Sequence, residues 1–190
     1  MATINECADH IAAVIGIDPQ DARYVARRLR ESGQLPQAGR GRGGAQFSPA
    51  HVALLVLAIM ATIAGERGGA IDRTAENLNR IAGLSHFASI ELIPGRVVLP
   101  TDLVGTVSAV LAALAGPDCA TITPWIGDLF LLIAGKARIG GLHIDTNGRP
   151  EKEDPFLYCT AEDFDLYTMA PLKCRVSLSV HALTQIAKIL

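Results

Sequence analysis

One stretch decides how this chain can fold: residues 48–64 read SPAHVALLVLAIMATIA. The Ser-Pro pair at its start suits a helix N-cap followed by the first helical position, so a helix is predicted from Ala50 onward. Its side chains are apolar around the whole helix except at His51 and Thr62. Such a helix must be covered on more than one face. We therefore expect it to be either the spine between two lobes or a subunit interface.

Two shorter helices are predicted upstream of this stretch. Thr3 and Glu6 have the spacing of a capping box at the start of the first helix, and Gly16 ends it. The second helix begins after a cap at Asp18 and runs to about Ser32. Because only two residues separate the helices, the pattern is typical of a helix-turn-helix.

A loop rich in glycine and arginine lies between the second helix and the apolar stretch. It reads RGRGG over residues 40–44, with Leu35 and Phe47 as apolar anchors on either side. We predict a small β-hairpin from Leu35 to Phe47, with its tip at the glycines. Residues 20–46 hold six arginines against two acids, a net charge of +4, whereas the whole chain carries −2. Such a local basic patch indicates a nucleic-acid-binding face.

The second half of the chain predicts a mixed α/β domain. Helices are expected at residues 71–82, from a cap at Thr101 or Asp102 to Ala115, at 124–134 and at 181–190. Strands are expected at residues 86–93, 139–146, 156–160 and 174–180, with the second and third of these paired. The glycine cluster at residues 65–69 is the expected boundary, which divides the chain into residues 1–65 and 70–190.

The first 65 residues resemble the winged helix-turn-helix domain of MerR-type regulators. The matching positions are Arg23-Tyr24 on the second helix, Gly33-Gln34-Leu35-Pro36 after it, Arg40–Gly44 as the wing, and Phe47-Ser48-Pro49 before the next helix. The resemblance covers about a third of the chain and implies a DNA-binding module. The predicted fold class is therefore α+β. Its N-terminal winged helix-turn-helix is mostly α with a small β-hairpin wing, and a mixed α/β C-terminal domain of oligomerisation or interaction follows.

Double-stranded DNA is the partner that these features predict. Because recognition helices read bases mainly with their early turns, the residues expected nearest the bases are Gln20, Arg23, Tyr24 and Arg27. We expect Arg28 and Arg30 on the helix to contact phosphates. We expect Arg40 and Arg42 on the wing to contact phosphates or an adjacent minor groove. Ion pairs with Asp21 and Glu31 are the alternative for the two helical arginines.

Two roles fit such a module. The first is a sequence-specific transcriptional regulator with a recognition helix at residues 19–31 and a basic wing at 39–44. The alternative is a bacteriophage DNA-packaging accessory similar to a terminase small subunit, or an assembly protein, that binds DNA through the same module. Because symmetric DNA sites favour dimers, and the aliphatic helices at 50–64 and 103–114 would associate if exposed, we expect a homo-oligomer.

Enzyme chemistry and bound cofactors are not expected. The glycine pattern at residues 39–44 lacks the preceding apolar strand and the later acid of a dinucleotide-binding loop. His143 and Asp145 fall on one face of a predicted strand, but a single pair of this kind is more often a surface or core contact than a metal site.

The cysteines and the hydropathy pattern predict a cytoplasmic location. The four cysteines are widely spread and form no CxxC pair, so reduced thiols are expected rather than structural zinc. The chain begins without the pattern of a secretory leader. The apolar run at residues 52–64 is shorter than the roughly 20 residues of a membrane span, so no membrane partner is expected.

Overall fold

The computed structural model describes residues 3–37, 47–64, 90–93, 97–134, 137–144, 155–158 and 174–190. The helices are α1 (Ile4–Ile15), α2 (Pro19–Glu31), α3 (Pro49–Ala64), α4 (Leu103–Ala115), α5 (Cys119–Ile122) and α6 (Val180–Ala187), with a 3-10 turn at Thr123–Trp125. The strands are β1 (Ile90–Ile93), β2 (Val97–Leu99), β3 (Ile126–Ala134), β4 (Ala137–Ile144), β5 (Pro155–Tyr158) and β6 (Cys174–Leu178). The fold is thus mixed α+β, as predicted. Within these segments, none of the helices has both the length and the apolar character that a membrane span requires.

The ends of α1 and α2 are set by the predicted local signals. The backbone N–H of Thr3 donates to the Glu6 carboxylate at 2.5 Å, and the Glu6 N–H donates to the Thr3 hydroxyl at 3.3 Å. Gly16 ends α1 in the left-handed conformation at φ 80°, which glycine adopts without strain. Asp18 then caps α2, and Gly33 follows its last turn at φ 75°. These contacts confirm the predicted helix pair.

Helix α3 is the spine of the described structure. It packs against α1 and α2 from the N-terminal part and against α4, β3 and β6 from the C-terminal part. The side chains of Val52, Ala53 and all residues from Leu55 to Ala61 are at most 2% exposed. Burying each large aliphatic side chain contributes about 1.5–3 kcal/mol relative to leaving it in water. Of the two expected arrangements, the structure therefore shows the spine.

The start of α3 is held by a reciprocal cap between Ser48 and His51. The Ser48 N–H donates to His51 Nδ1 at 3.2 Å, and the His51 N–H lies 3.4 Å from the Ser48 hydroxyl oxygen. The geometry is that of a capping box in which histidine replaces the usual glutamate or glutamine. The ring of Phe47 packs edge-on against the imidazole, with 5.7 Å between the ring centroids.

Two antiparallel sheets complete the part of the fold that the structure describes. The larger has the strand order β5-β4-β3-β6, and β1 and β2 form a two-stranded sheet. The predicted pairing of the 139–146 and 156–160 strands is confirmed, because Leu142 of β4 lies opposite Phe156 of β5. The predicted C-terminal strand is also confirmed as β6, which pairs with β3.

The helix predicted at residues 124–134 is wrong. After the short 3-10 turn the chain forms β3, which is hydrogen-bonded to β4 on one side and β6 on the other. Consecutive side chains of β3 point to opposite faces of the sheet, yet Leu129, Phe130 and Leu131 are all buried. A central strand buried on both faces has a continuous apolar sequence, which periodicity alone does not distinguish from a buried helix.

Several predictions lie outside the described residues. They are the wing tip at 39–44, the boundary at 65–69, the helix at 71–82 and the start of the strand predicted at 86–93. The division into domains 1–65 and 70–190 stays a prediction. In the described part, both halves contribute to one hydrophobic core, and His10 of α1 lies 2.8 Å from the Gln185 carbonyl of α6 through its Nε2 atom.

We predict that Gly140→Ala lowers the free energy of unfolding by about 1–3 kcal/mol, because a β-carbon there would collide with Cδ2 of the fully buried Leu103. Urea unfolding followed by the fluorescence of Trp125, the single tryptophan, measures this change. In a Leu103→Ala background the same substitution should cost less, since the colliding atoms are gone. Equal costs in the two backgrounds would contradict this packing.

We also predict that Ser48→Ala lowers the free energy of unfolding by about 1 kcal/mol, because it removes the side-chain acceptor at the start of α3. His51→Glu should keep the protein at least as stable as the wild type at neutral pH. Glutamate preserves the reciprocal acceptor and adds a negative charge at the positive end of the helix. His51→Leu, which removes the acceptor, is the matched comparison. If the Leu and Glu variants unfold at the same urea concentration, the reciprocal cap contributes nothing.

Candidate nucleic-acid interface

Helix α2 has two opposite faces of different chemistry. Its buried side chains are Ala22, Val25, Ala26 and Leu29. The residues predicted to lie nearest the bases, Gln20, Arg23, Tyr24 and Arg27, are all exposed. Each set follows the i, i+3, i+4, i+7 spacing of one helix face, and a shift of two residues rotates one set about 200° from the other. The structure therefore brings the four predicted residues together on one solvent-facing surface, which we call the polar face of α2.

Arg23 is held by an acid on the neighbouring helix. Its Nε and Nη2 atoms each lie 2.6 Å from one carboxylate oxygen of Asp9 in α1. The hydrogen bonds from Arg23 lower the pKa of Asp9, and the same bonds raise the pKa of the Arg23 guanidinium. The side chain of Arg23 is 45% exposed and that of Asp9 is 35% exposed, so water screens the pair. The contact orients Arg23 more than it stabilises the fold.

Glu31 pairs with two arginines at the C-terminal end of α2. Arg27 Nε lies 2.8 Å from one of its oxygens, and Arg28 Nη1 lies 3.1 Å from the other. The hydrogen bonds from Arg27 and Arg28 hold the pKa of Glu31 below its ordinary value. The ion-pair alternative predicted for Arg28 is thus present in the structure.

Arg30 differs from the other arginines of α2. It is half-buried, and its Nε is a buried atom with no hydrogen-bond partner among the described residues. It borders a shallow open groove of about 360 Å³ together with Arg27, Glu31 and Gln37. The only acid in the lining described, Glu31, is already shared by two arginines, so the groove carries an excess of positive charge.

The remaining predicted residues divide into those that the structure describes and those it does not. Tyr24 is 38% exposed and Gln20 is exposed beside the Asp18 cap. Arg40 and Arg42 of the predicted wing lie outside the described residues, so their contribution stays a prediction.

Two residues of this surface were not identified from the sequence. Asp9 is 14 positions from Arg23 and on another helix, so no helical spacing links them. Gln37 lines the groove from the segment after α2 and has no motif of its own. Asp9 is an acid on the outer side of α1 that faces a basic helix, and this becomes recognisable only once the packing of the two helices is known.

The polar face combines hydrogen-bond donors, a phenol and positive charge on a helix whose other side is anchored in the core. Such a surface has the chemistry to bind a polyanion that also presents hydrogen-bond acceptors. Among the described residues, no cluster of three or more His, Cys, Asp and Glu side chains is arranged to hold a metal ion. Comparisons of the chain with protein-family models, with curated proteins and with solved structures found no match.

Proposed function

We propose that this protein binds double-stranded DNA in a sequence-directed way, as a transcriptional regulator, with α2 as its recognition helix and residues 39–44 as a basic wing. The observation that carries the proposal is the polar face of α2. Its exposed residues lie on the early turns, which recognition helices use for reading bases. Arginine matches the paired acceptors of guanine and glutamine those of adenine, so Gln20, Arg23 and Arg27 have the chemistry of base readout.

The ion pairs of α2 are compatible with this role. Exposed pairs such as Arg27 with Glu31 contribute about 0–1 kcal/mol to stability. An arginine in such a pair can exchange its carboxylate partner for a DNA phosphate at little cost to the fold. Arg28 and Arg30 lie toward the C-terminal half of the helix and suit phosphate contacts, which position the protein without reading sequence.

The expected homo-oligomer has less support than the expected DNA contact. Most large aliphatic side chains of the helices that suggested association, α3 and α4, are buried in the core of a single chain. A dimer is therefore proposed mainly from the symmetry of operator sites. A packaging accessory would use the same polar face, so the two roles differ in how strongly binding depends on base sequence.

Titration of a fluorescent duplex at several salt concentrations tests the proposal. Because each neutralised phosphate releases counterions, affinity should fall steeply with salt. We predict that the double substitution Arg40→Ala with Arg42→Ala reduces the slope of log K against log salt by about 2, since two phosphate contacts are lost. Lys188→Gln at the exposed C-cap of α6 is the control, because it removes one positive charge from outside the proposed interface.

Three results would contradict the proposal in different ways. If the protein does not bind the duplex, or if its affinity does not depend on salt, DNA is not its partner. An unchanged slope in the double variant, or an equal loss of slope in the Lys188 control, would show that the wing does not contact phosphates.

Selection of bound duplexes from a random pool separates the two roles. A regulator should bind its selected sites at least about a thousandfold more tightly than unrelated DNA, whereas a packaging protein without base readout should enrich no sequence.

A further inference from the structure

We propose that Asp9 is a positioning residue that holds Arg23 in the orientation for reading a guanine base in the major groove. The inference rests on the proposed DNA-binding function. It adds Asp9 of α1 to the recognition surface of α2 and names guanine as the base that Arg23 contacts. The polar face would then be a composite of two helices.

The geometry of the Arg23 guanidinium carries this proposal. An arginine has two edges that present paired N–H donors, one formed by Nε with Nη2 and the other by Nη1 with Nη2. Asp9 occupies the first edge with both of its oxygens, at 2.6 Å each. The second edge has no partner among the described residues. Its two parallel donors match the O6 and N7 acceptors of guanine, the commonest specific contact of arginine with DNA.

Preorganisation explains why such a partner would matter. An arginine on an open helix face samples many rotamers, and ordering the side chain on binding lowers affinity. The two-point contact with Asp9 fixes the guanidinium plane before DNA arrives. Because Arg23 starts from α2 and Asp9 from α1, the orientation of the plane is set by the packing of the two helices.

The charge of Asp9 has a separate effect on the affinity for DNA of any sequence. A carboxylate on a DNA-facing surface repels phosphates, so it weakens binding to every duplex. This repulsion is the same at the correct site and elsewhere, so it lowers both affinities without changing their ratio. The orientation of Arg23 is therefore the effect by which Asp9 acts on specificity.

The test measures the ratio of affinities for a duplex selected by the wild-type protein and for a scrambled duplex. In Asp9→Asn the orienting carboxylate is replaced by an amide of the same shape. We predict that the ratio falls by up to about tenfold, because Arg23 is no longer held in place and its side chain must be ordered when it contacts the base. Affinity for the scrambled duplex should stay the same or rise, since a negative charge is gone. Thermal unfolding should be nearly unchanged because the pair is exposed.

Three further variants separate positioning from charge. Asp21→Asn removes one exposed carboxylate from the first turn of α2, so it should leave the ratio unchanged. Asp9→Glu should restore part of the ratio, because a carboxylate returns. In an Arg23→Lys background, Asp9→Asn should change the ratio no further, since lysine lacks the paired edge that Asp9 orients.

The outcomes distinguish this proposal from the one on which it rests. If the wild-type protein does not bind DNA or does not discriminate between the two duplexes, the proposed function and this inference fail together. If the wild-type protein discriminates and Asp9→Asn keeps the ratio, Asp9 has no positioning role and the DNA-binding proposal stands. A higher ratio in Asp9→Asn would show that Asp9 competes with DNA for Arg23, which also overturns the inference.

Discussion

Burial of the apolar helix α3 holds the described parts of the chain together. The helix has no polar face between Val52 and Ala61, so one layer of neighbours is not enough to remove it from water. The helix pair α1 and α2 covers it from the N-terminal part, and α4, β3 and β6 cover it from the C-terminal part. The two halves of the described chain are therefore joined through one core, whatever their separate functions.

The exposed chemistry of α2 follows from how this helix meets the core. Its buried residues, Ala22, Val25, Ala26 and Leu29, form a narrow apolar stripe that anchors the helix. Most of its circumference then remains in water and carries arginine. Because the ion pairs formed there are exposed, they add little to stability and leave the arginines available to a negatively charged partner. The helix is thus fixed to the core on one side, and the ion pairs on its other side can be exchanged for contacts with a partner.

Much of the helical part of the fold could be predicted from the sequence, and the sheet could be predicted only in part. The caps at Thr3, Asp18 and Asp102 were all identified or offered as alternatives, and the structure has each of them. The pairing of β4 with β5 was also predicted. Strand β3 was not, because an apolar run of this length fits a buried helix and a central strand equally well. For the candidate site, the polar face of α2 could be predicted and its contact with Asp9 could not.

Local sequence is enough to set where the N-terminal helices begin and end, which face of α2 is polar and that residues 50–64 need cover on several sides. These features depend on side chains within about one helical turn of each other, so local spacing contains the information. Long-range packing sets the position of α3 as a spine, the strand at residues 126–134 and the contact of Asp9 with Arg23. Each of these needs contacts between residues on different elements, which local spacing does not encode. The position of α3 also needs both halves of the described chain to fold around the same core.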